Sequence, residues 1–181
     1  MIQTTILSPS TIPATIILSK APPPSFLLKH PAHLIACGFG SGLAPKAPGT
    51  FGTLFALASY PLLRWAMDDL QLLIFLAAAY GLGIWAIQVT GRAIGEPDHG
   101  SIVWDEIVPF WLVLAIIPAT WPWWLAAFAL FRFFDIVKLP PAGWFDRNMK
   151  NGFGVMADDL CAAGHTLIVL AATQWLINRI N

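Results

Sequence analysis

The chain has 181 residues, no formal net charge, and charged side chains at 11%, with a mean hydropathy of +0.67. Ordinary globular domains carry about 25% charge, so extensive apolar surface or core is expected, and the neutral balance gives no reason to look for nucleic acid. The length suits one domain with a full core.

The first charged residue is Lys20, and the Thr/Ser/Ile/Pro stretch before it lacks the basic start, compact apolar core and A-x-A site of a secretory signal. Pro22, Pro23 and Pro24 follow. Residues 1–28 therefore read as a loosely ordered tail whose Ile-rich patches can touch a membrane, and residues 29–181 as a single helical domain. Cys37 and Cys161 lie in apolar sequence without a CxxC partner, as buried reduced thiols in a cytoplasmic context would.

Uncharged apolar runs then cover 47–63, 70–91, 107–131 and 160–178. The second and fourth approach the ~20 residues that a membrane-spanning helix needs. The third is broken by Pro118 and Pro122 among Trp121, Trp123 and Trp124. Tryptophan favours the headgroup layer, so this run predicts a helical hairpin whose turn reaches a membrane interface. With 47–63 and 70–91 as another hairpin, the segments 36–50, 92–106 and 132–159 emerge on one side. That side holds Lys46, Arg92, Arg132, Lys138, Arg147 and Lys150, against Arg64 and Arg179 on the other, which marks it as cytoplasmic. The expected fold is all-α: a helical, membrane-associated bundle with short hairpins and polar loops converging on one face. The competing reading is a large soluble helical core, which the short first run and short hairpin arms keep open.

Acids are concentrated where the loops converge. Residues 96–159 carry eight of the ten, against four bases, a local net charge of −4. Carboxylates beside hydrocarbon are costly unless a cation compensates them, so the cluster reads as a divalent-metal site.

Three polar strings supply the chemistry. In GFGSGLAPKAPGTFGTL (38–54), glycines let backbone N–H groups approach a phosphate, and Ser41, Lys46 and Thr50 add two hydroxyls and an ammonium. The GK[ST] ending of a P-loop is absent, and a Gly/Pro loop is by itself more often a turn. In DHGSIVWDE (98–106), Gly100 and Ser101 suggest a turn into a helix. Asp98 and Asp105, like His99 and Glu106, are seven apart and share a face if the turn is helical. These carboxylates suit Mg²⁺, and Pro109 cannot donate to the Asp105 carbonyl, which is expected to open the helix there. The plain alternative is that acids in a first turn favour the helix dipole. In the third string, Arg132, Asp135 and Lys138 have the spacing of helix-surface ion pairs. Breaks at Pro140-Pro141 and at Gly152 and Gly154 then carry the chain through Asp146 and Arg147 to Asp158-Asp159, where the last apolar helix is expected to start and the dipole alternative applies again. His165, one face along from Asp158, reads as a hydrogen-bonded core residue.

Taken in order and spacing, GFGSGLAPKAPGTFGTL, DHGSIVWDE, FRFFDIVK, WFDRN and GFGVMADDLCAAG resemble the phosphatidylglycerophosphatase A family, over roughly residues 33–166. The resemblance implies an all-helical fold and Mg²⁺-dependent hydrolysis of phosphatidylglycerophosphate, an anionic phospholipid, at the bacterial inner membrane. The catalytic acids would be Asp105, Glu106, Asp158 and Asp159, holding one or two Mg²⁺, with Asp98 and Asp135 as further ligands. Lys46, Arg132, Lys138 and Arg147 would grip phosphate, and Ser41, Thr50, His99 and Asp146 complete the expected substrate-binding set. Three positions depart from the family pattern: Leu139-Pro140-Pro141 in place of K-P-x-P, Asn151-Gly152 in place of Gly-Gly, and Pro109 in place of a small residue. Competing phosphatase signatures are absent, namely C-x5-R, D-x-D-x-[TV] and the histidine-based lipid-phosphatase set. A transporter would bury its carboxylates mid-span, a CDP-alcohol transferase would carry D-G-x2-A-R, and a non-catalytic membrane protein with a structural cation site would leave most of the acids unexplained.

Overall fold

The computed structural model describes residues 21–180, which are mostly helical, with no strand among the described residues. Seven α-helices follow in order: α1 (Pro31–Ala36), α2 (Pro48–Ala66), α3 (Asp69–Ile94), α4 (Trp104–Ile116), α5 (Trp121–Val137), α6 (Ala142–Asn148) and α7 (Gly152–Ile180). Short 3-10 segments cover Pro24–Lys29 and Gly38–Leu43. Most of the expected tail, residues 1–20, lies outside the described residues. Its last part is seated on the domain, because Phe26 stacks on His33 with ring centroids 4.1 Å apart.

Local chemistry sets the helix ends. Asp68 and Gln71 form a capping box at the start of α3, and Gly95 ends it in the left-handed conformation. Proline occupies the first turn of α2 and of α5, where its missing N–H costs nothing. Pro109 does not open α4, which continues to Ile116. Packing on every side of α4 outweighs the single missing bond.

Helix α4 is the centre of the molecule: residues 104–111 are all buried, and Ile107, Phe110 and Leu114 are almost wholly enclosed. Two indoles tie it down, Trp104 Nε1 donating to the Ala79 carbonyl on α3 and Trp111 Nε1 to the Ala56 carbonyl on α2, each at 3.0 Å. The chain reverses between α2 and α3 as expected. The two helices nevertheless pack little on each other: α2 packs mainly on α4, and α3 mainly on α1 and α7. At Gly83 a side chain would collide with Trp104 and with the Met156 sulfur, so this glycine lets α3, α4 and α7 close up.

The N-termini of α2, α4 and α7 and the C-termini of α3 and α5 gather at one end. The other end holds the α4–α5 turn, the C-terminal half of α7 and the Arg64–Asp69 pair. Helices α3 and α7 are long and apolar enough to cross a membrane, whereas α4 and α5 are shorter than a span. Apolar side chains remain uncovered along their length, among them Leu73, Trp85, Ile168 and Trp175. Cys37 is fully buried, and burial pushes its thiol pKa up to about 11. Cys161 differs from expectation in being only half-buried.

Candidate active site

A cavity of about 320 Å³ lies where the helix ends meet, and eight charged residues line it: Asp98, Asp105, Glu106, Arg132, Asp135, Lys138, Asp158 and Asp159. All six expected metal ligands and two of the expected phosphate-gripping residues are thus brought together. Residues distant in sequence meet because α4, α5 and α7 each carry a charged first or last stretch to the same end.

Asp105 and Glu106 occupy the first turn of α4 and are 6% and 8% exposed. Asp158 and Asp159 are 5% and 3% exposed, and α7 starts at Gly152, six and seven residues before them. The sequence placed them at the helix start. The observed position takes them beyond the first turn, where the helix dipole has faded, so the dipole does not account for them.

Two cations organise the acids. Arg132 Nη1 bonds Glu106 Oε2 and also meets Asp135 Oδ2 at 2.6 Å. Lys138 Nζ bonds Asp158 Oδ2, donates to Asp146 Oδ1 at 3.0 Å and stands 4.0 Å from Asp98. The expected Asp135–Lys138 pair is not among these contacts. Lys138 caps α5 with φ at +52°, off the helical path that would place it one turn below Asp135, and its ammonium turns to α6 and α7 instead. Asp98 and His99 also depart from expectation: both precede α4, so neither stacks on the helical face of Asp105 or Glu106. His99 is buried and its Nδ1 accepts from the Ser101 N–H at 3.1 Å, which holds the turn.

The remaining expected residues stand around the cavity. Asp146 reaches it through Lys138. Ser41 Oγ donates to the Gly38 carbonyl at 2.8 Å, closing its own loop. Lys46 and Arg147 are exposed and make no ion pair among the described residues, and Thr50 is half-buried. His165 lies against the Phe134 ring, but its buried Nδ1 has no partner among the described residues, contrary to the expected hydrogen bond. Sequence reading passed over Thr53 and Gly49. Thr53 is fully buried and its hydroxyl lies 2.9 Å from Glu106 Oε2, and a side chain at Gly49 would overlap the Glu106 carboxylate. Their spacing of four puts both on one face of α2, but which face of α2 meets α4 is set by packing.

Six carboxylates facing two cations leave the site strained electrostatically. Burial, and then the charge of Glu106, push Asp105 well above the usual carboxylate range. Burial raises Glu106 to about 7 even though Arg132 opposes the shift. For Lys138 burial works the other way, but its bonds to Asp158 and Asp146 prevail and hold the ammonium well above its ordinary value. Burial would raise Asp146 as well, yet Lys138 and Lys150 keep it below the usual range. Asp105 Oδ1 and Arg132 Nε are buried without a partner among the described residues. A buried oxygen of this kind is costly unless something binds it.

The oxygen-only donor set suits a hard cation. Among the described residues, no three His, Cys, Asp or Glu side chains already form a tight cage. Mg²⁺ does not require one, since it keeps several waters and takes one or two carboxylates.

Comparison with known proteins identifies the family. The family model of phosphatidylglycerophosphatase A matches residues 34–174. The chain is 49% identical over 152 residues to phosphatidylglycerophosphatase A of Haemophilus influenzae, covering 83% of this chain and 93% of that protein. It is 40% identical over 136 residues to phosphatidylglycerophosphatase A of Escherichia coli, covering 75% and 78%. A Bacteroides thetaiotaomicron protein, named provisionally as a phosphatidylinositol-3-phosphatase, is 43% identical over 162 residues, covering 85% and 98%. No solved structure matches the chain.

Proposed function

The chain belongs to the phosphatidylglycerophosphatase A family and is a phosphatase, and on that premise we propose that it hydrolyses phosphatidylglycerophosphate to phosphatidylglycerol and phosphate with Mg²⁺ in the carboxylate cavity. The observation that carries the metal is the cavity itself: six carboxylates against two cations, with Asp105 Oδ1 buried and unpartnered among the described residues.

Asp105, Glu106, Asp158 and Asp159 are the residues that would hold the ion, with Asp98 and Asp135 at the sides. Bound there, Mg²⁺ supplies Lewis-acid neutralisation of the phosphoryl oxygens and acidifies a bound water. Arg132 offers a planar fork and Lys138 a point charge, and both can pass from their carboxylate partners to phosphate oxygens as the substrate enters. One of these carboxylates accepts the proton of the attacking water. A water oxygen then bonds to phosphorus as the bond to the glycerol oxygen breaks, and the leaving oxygen takes a proton from solvent. Charge development on the phosphoryl group is met by positioned cations, which is the main task in this reaction class.

The same premise sets the location. Two helices of spanning length, with much of their apolar surface uncovered, support a membrane protein, and the Lys/Arg excess at the site end supports a cavity facing the cytoplasm at a bacterial inner membrane. The name of the Bacteroides relative favours a second substrate, a phosphoinositide. Both lipids present a phosphomonoester on an anionic headgroup, so the residues above serve either.

Phosphate release by purified protein decides among these. The expected result is fastest turnover with phosphatidylglycerophosphate, slower turnover with phosphatidylinositol 3-phosphate, complete loss in EDTA and recovery with Mg²⁺. Undiminished turnover after exhaustive chelation would remove the metal from the mechanism, and preference for the phosphoinositide would replace the substrate. Release of the protein from membranes by an alkaline wash would replace the location.

A further inference from the structure

We infer that Thr53, with Gly49, is a positioning residue that decides which oxygen of Glu106 is presented to the cavity; the inference rests on the metal reading above. Gly49 and Thr53 are four apart on α2 and so share the face that meets the first turn of α4. Thr53 is 0% exposed, and its single hydroxyl proton is set between the Gly49 carbonyl at 3.0 Å and Glu106 Oε2 at 2.9 Å. Arg132 bonds the same Oε2. Two donors therefore hold one oxygen of Glu106 from behind. The other, Oε1, accepts no hydrogen bond among the described residues and lies against the bare Cα of Gly49, which lines the cavity with Glu106. Any side chain at Gly49 would occupy the place of Oε1.

The arrangement leaves one donor oxygen of Glu106 for an ion or its water, and it leaves that oxygen in one place. Outer partners of this kind orient ligating carboxylates, and their loss typically costs about 10–100-fold in metal affinity. The plain structural role for Thr53 is the bond to the carbonyl four residues back, which buried helical threonines often make. That role involves Gly49 alone and makes no demand on Mg²⁺.

Two readouts separate the roles: the thermal melting of lipid-free protein titrated with MgCl₂, and the Mg²⁺ dependence of phosphate release. Thr53→Val keeps the branched shape and removes the hydroxyl, so its midpoint should move to about tenfold higher Mg²⁺ in both, with the KM for lipid little changed. Thr53→Ser restores the hydroxyl and should restore the midpoint. A wild-type midpoint in Thr53→Val overturns the inference. If Thr53→Val melts too low to assay, Gly49→Ala keeps the hydroxyl but displaces Oε1. It should raise the same midpoint, and an unchanged midpoint there also overturns the inference. Absence of any Mg²⁺ response in the wild-type protein would instead overturn the metal reading, and this inference with it.

Discussion

Two Arg–Asp pairs of the same 2.6 Å length stand at opposite ends of the bundle, and they are not the same interaction. Arg64–Asp69 joins the end of α2 to the start of α3, with side chains 42% and 92% exposed. Arg132–Asp135 lies within α5, with both side chains 15% exposed, and its arginine must also serve Glu106. Water solvates and screens the first pair, so separating it costs almost nothing. The second is held in a poor solvent for charge, where an uncompensated partner is expensive. Distance says little about an ion pair until its surroundings are known. At the site end the surroundings amount to six carboxylates and two cations in one cavity, a poor arrangement for stability alone and a suitable one for binding a cation and a phosphate.

The sharpest way to break this contrast is to remove single charges at the site end. Asp159→Asn and Asp105→Asn should each cut phosphate release by about 10²-fold or more while the helical signal in circular dichroism persists. Near-wild-type turnover in either would show that the acids serve only the fold. Arg132→Ala should have the largest effect on stability, because it strands Glu106 and Asp135 together. We expect a loss of about 2–4 kcal/mol in denaturant unfolding without metal, discounted slightly for partial exposure, and partial recovery with Mg²⁺. A cost no larger than that at Arg64 would erase the difference between the two ends.

A smaller effect follows from pH. The folded-state pKa of Glu106 is raised by burial to about 7, and Asp105 is raised in the same direction. Between the unfolded and folded values the native state binds more protons than the unfolded chain, so stability falls as pH rises through that window. Chelated protein should melt at a lower temperature at about pH 8 than at about pH 6. Saturating Mg²⁺ should flatten the dependence, since the ion takes the place of the protons. An identical slope with and without Mg²⁺ would mean that these carboxylates do not meet the ion.

Much of the site was legible because its parts are local strings. A greasy chain with carboxylates in only a few short segments advertises them, and the alternation of long apolar runs with polar breaks sends the breaks to one end. The unread parts are set by packing. That Thr53 and not Thr50 faces Glu106 depends on the rotation of α2 against α4, which no spacing within either helix records. The redirection of Lys138 from Asp135 to Asp146 and Asp158 depends on one left-handed residue at the end of α5. The failure of α2 and α3 to pair follows from the surfaces each meets elsewhere, α4 for α2 and α1 with α7 for α3, which the hairpin pattern of the sequence does not record. His165 lies against Phe134, and its buried Nδ1 lacks the expected partner among the described residues.

The smallest expected effect is at Arg64 and Asp69, and it tests the comparison from its quiet side. Both partners sit at helix ends where their charges also favour the local dipoles, Arg64 in the last turn of α2 and Asp69 in the first turn of α3. Each single change, Arg64→Ala or Asp69→Asn, therefore removes a dipole contribution together with the pair, and neither alone isolates the pair. A double-mutant cycle does, since the dipole contributions cancel and the coupling remains. With the pair exposed to water, melting temperatures of the two single mutants and the double mutant should be additive within error. Any small shifts should shrink as salt is raised past the point where the Debye length falls to a few ångströms. Activity should stay at the wild-type level throughout. Strong non-additivity that survives high salt would mean that this end is closed to water as the site end is, by lipid headgroups or by a second molecule. The 2.6 Å pair there would then have to be counted with Arg132–Asp135 and not against it.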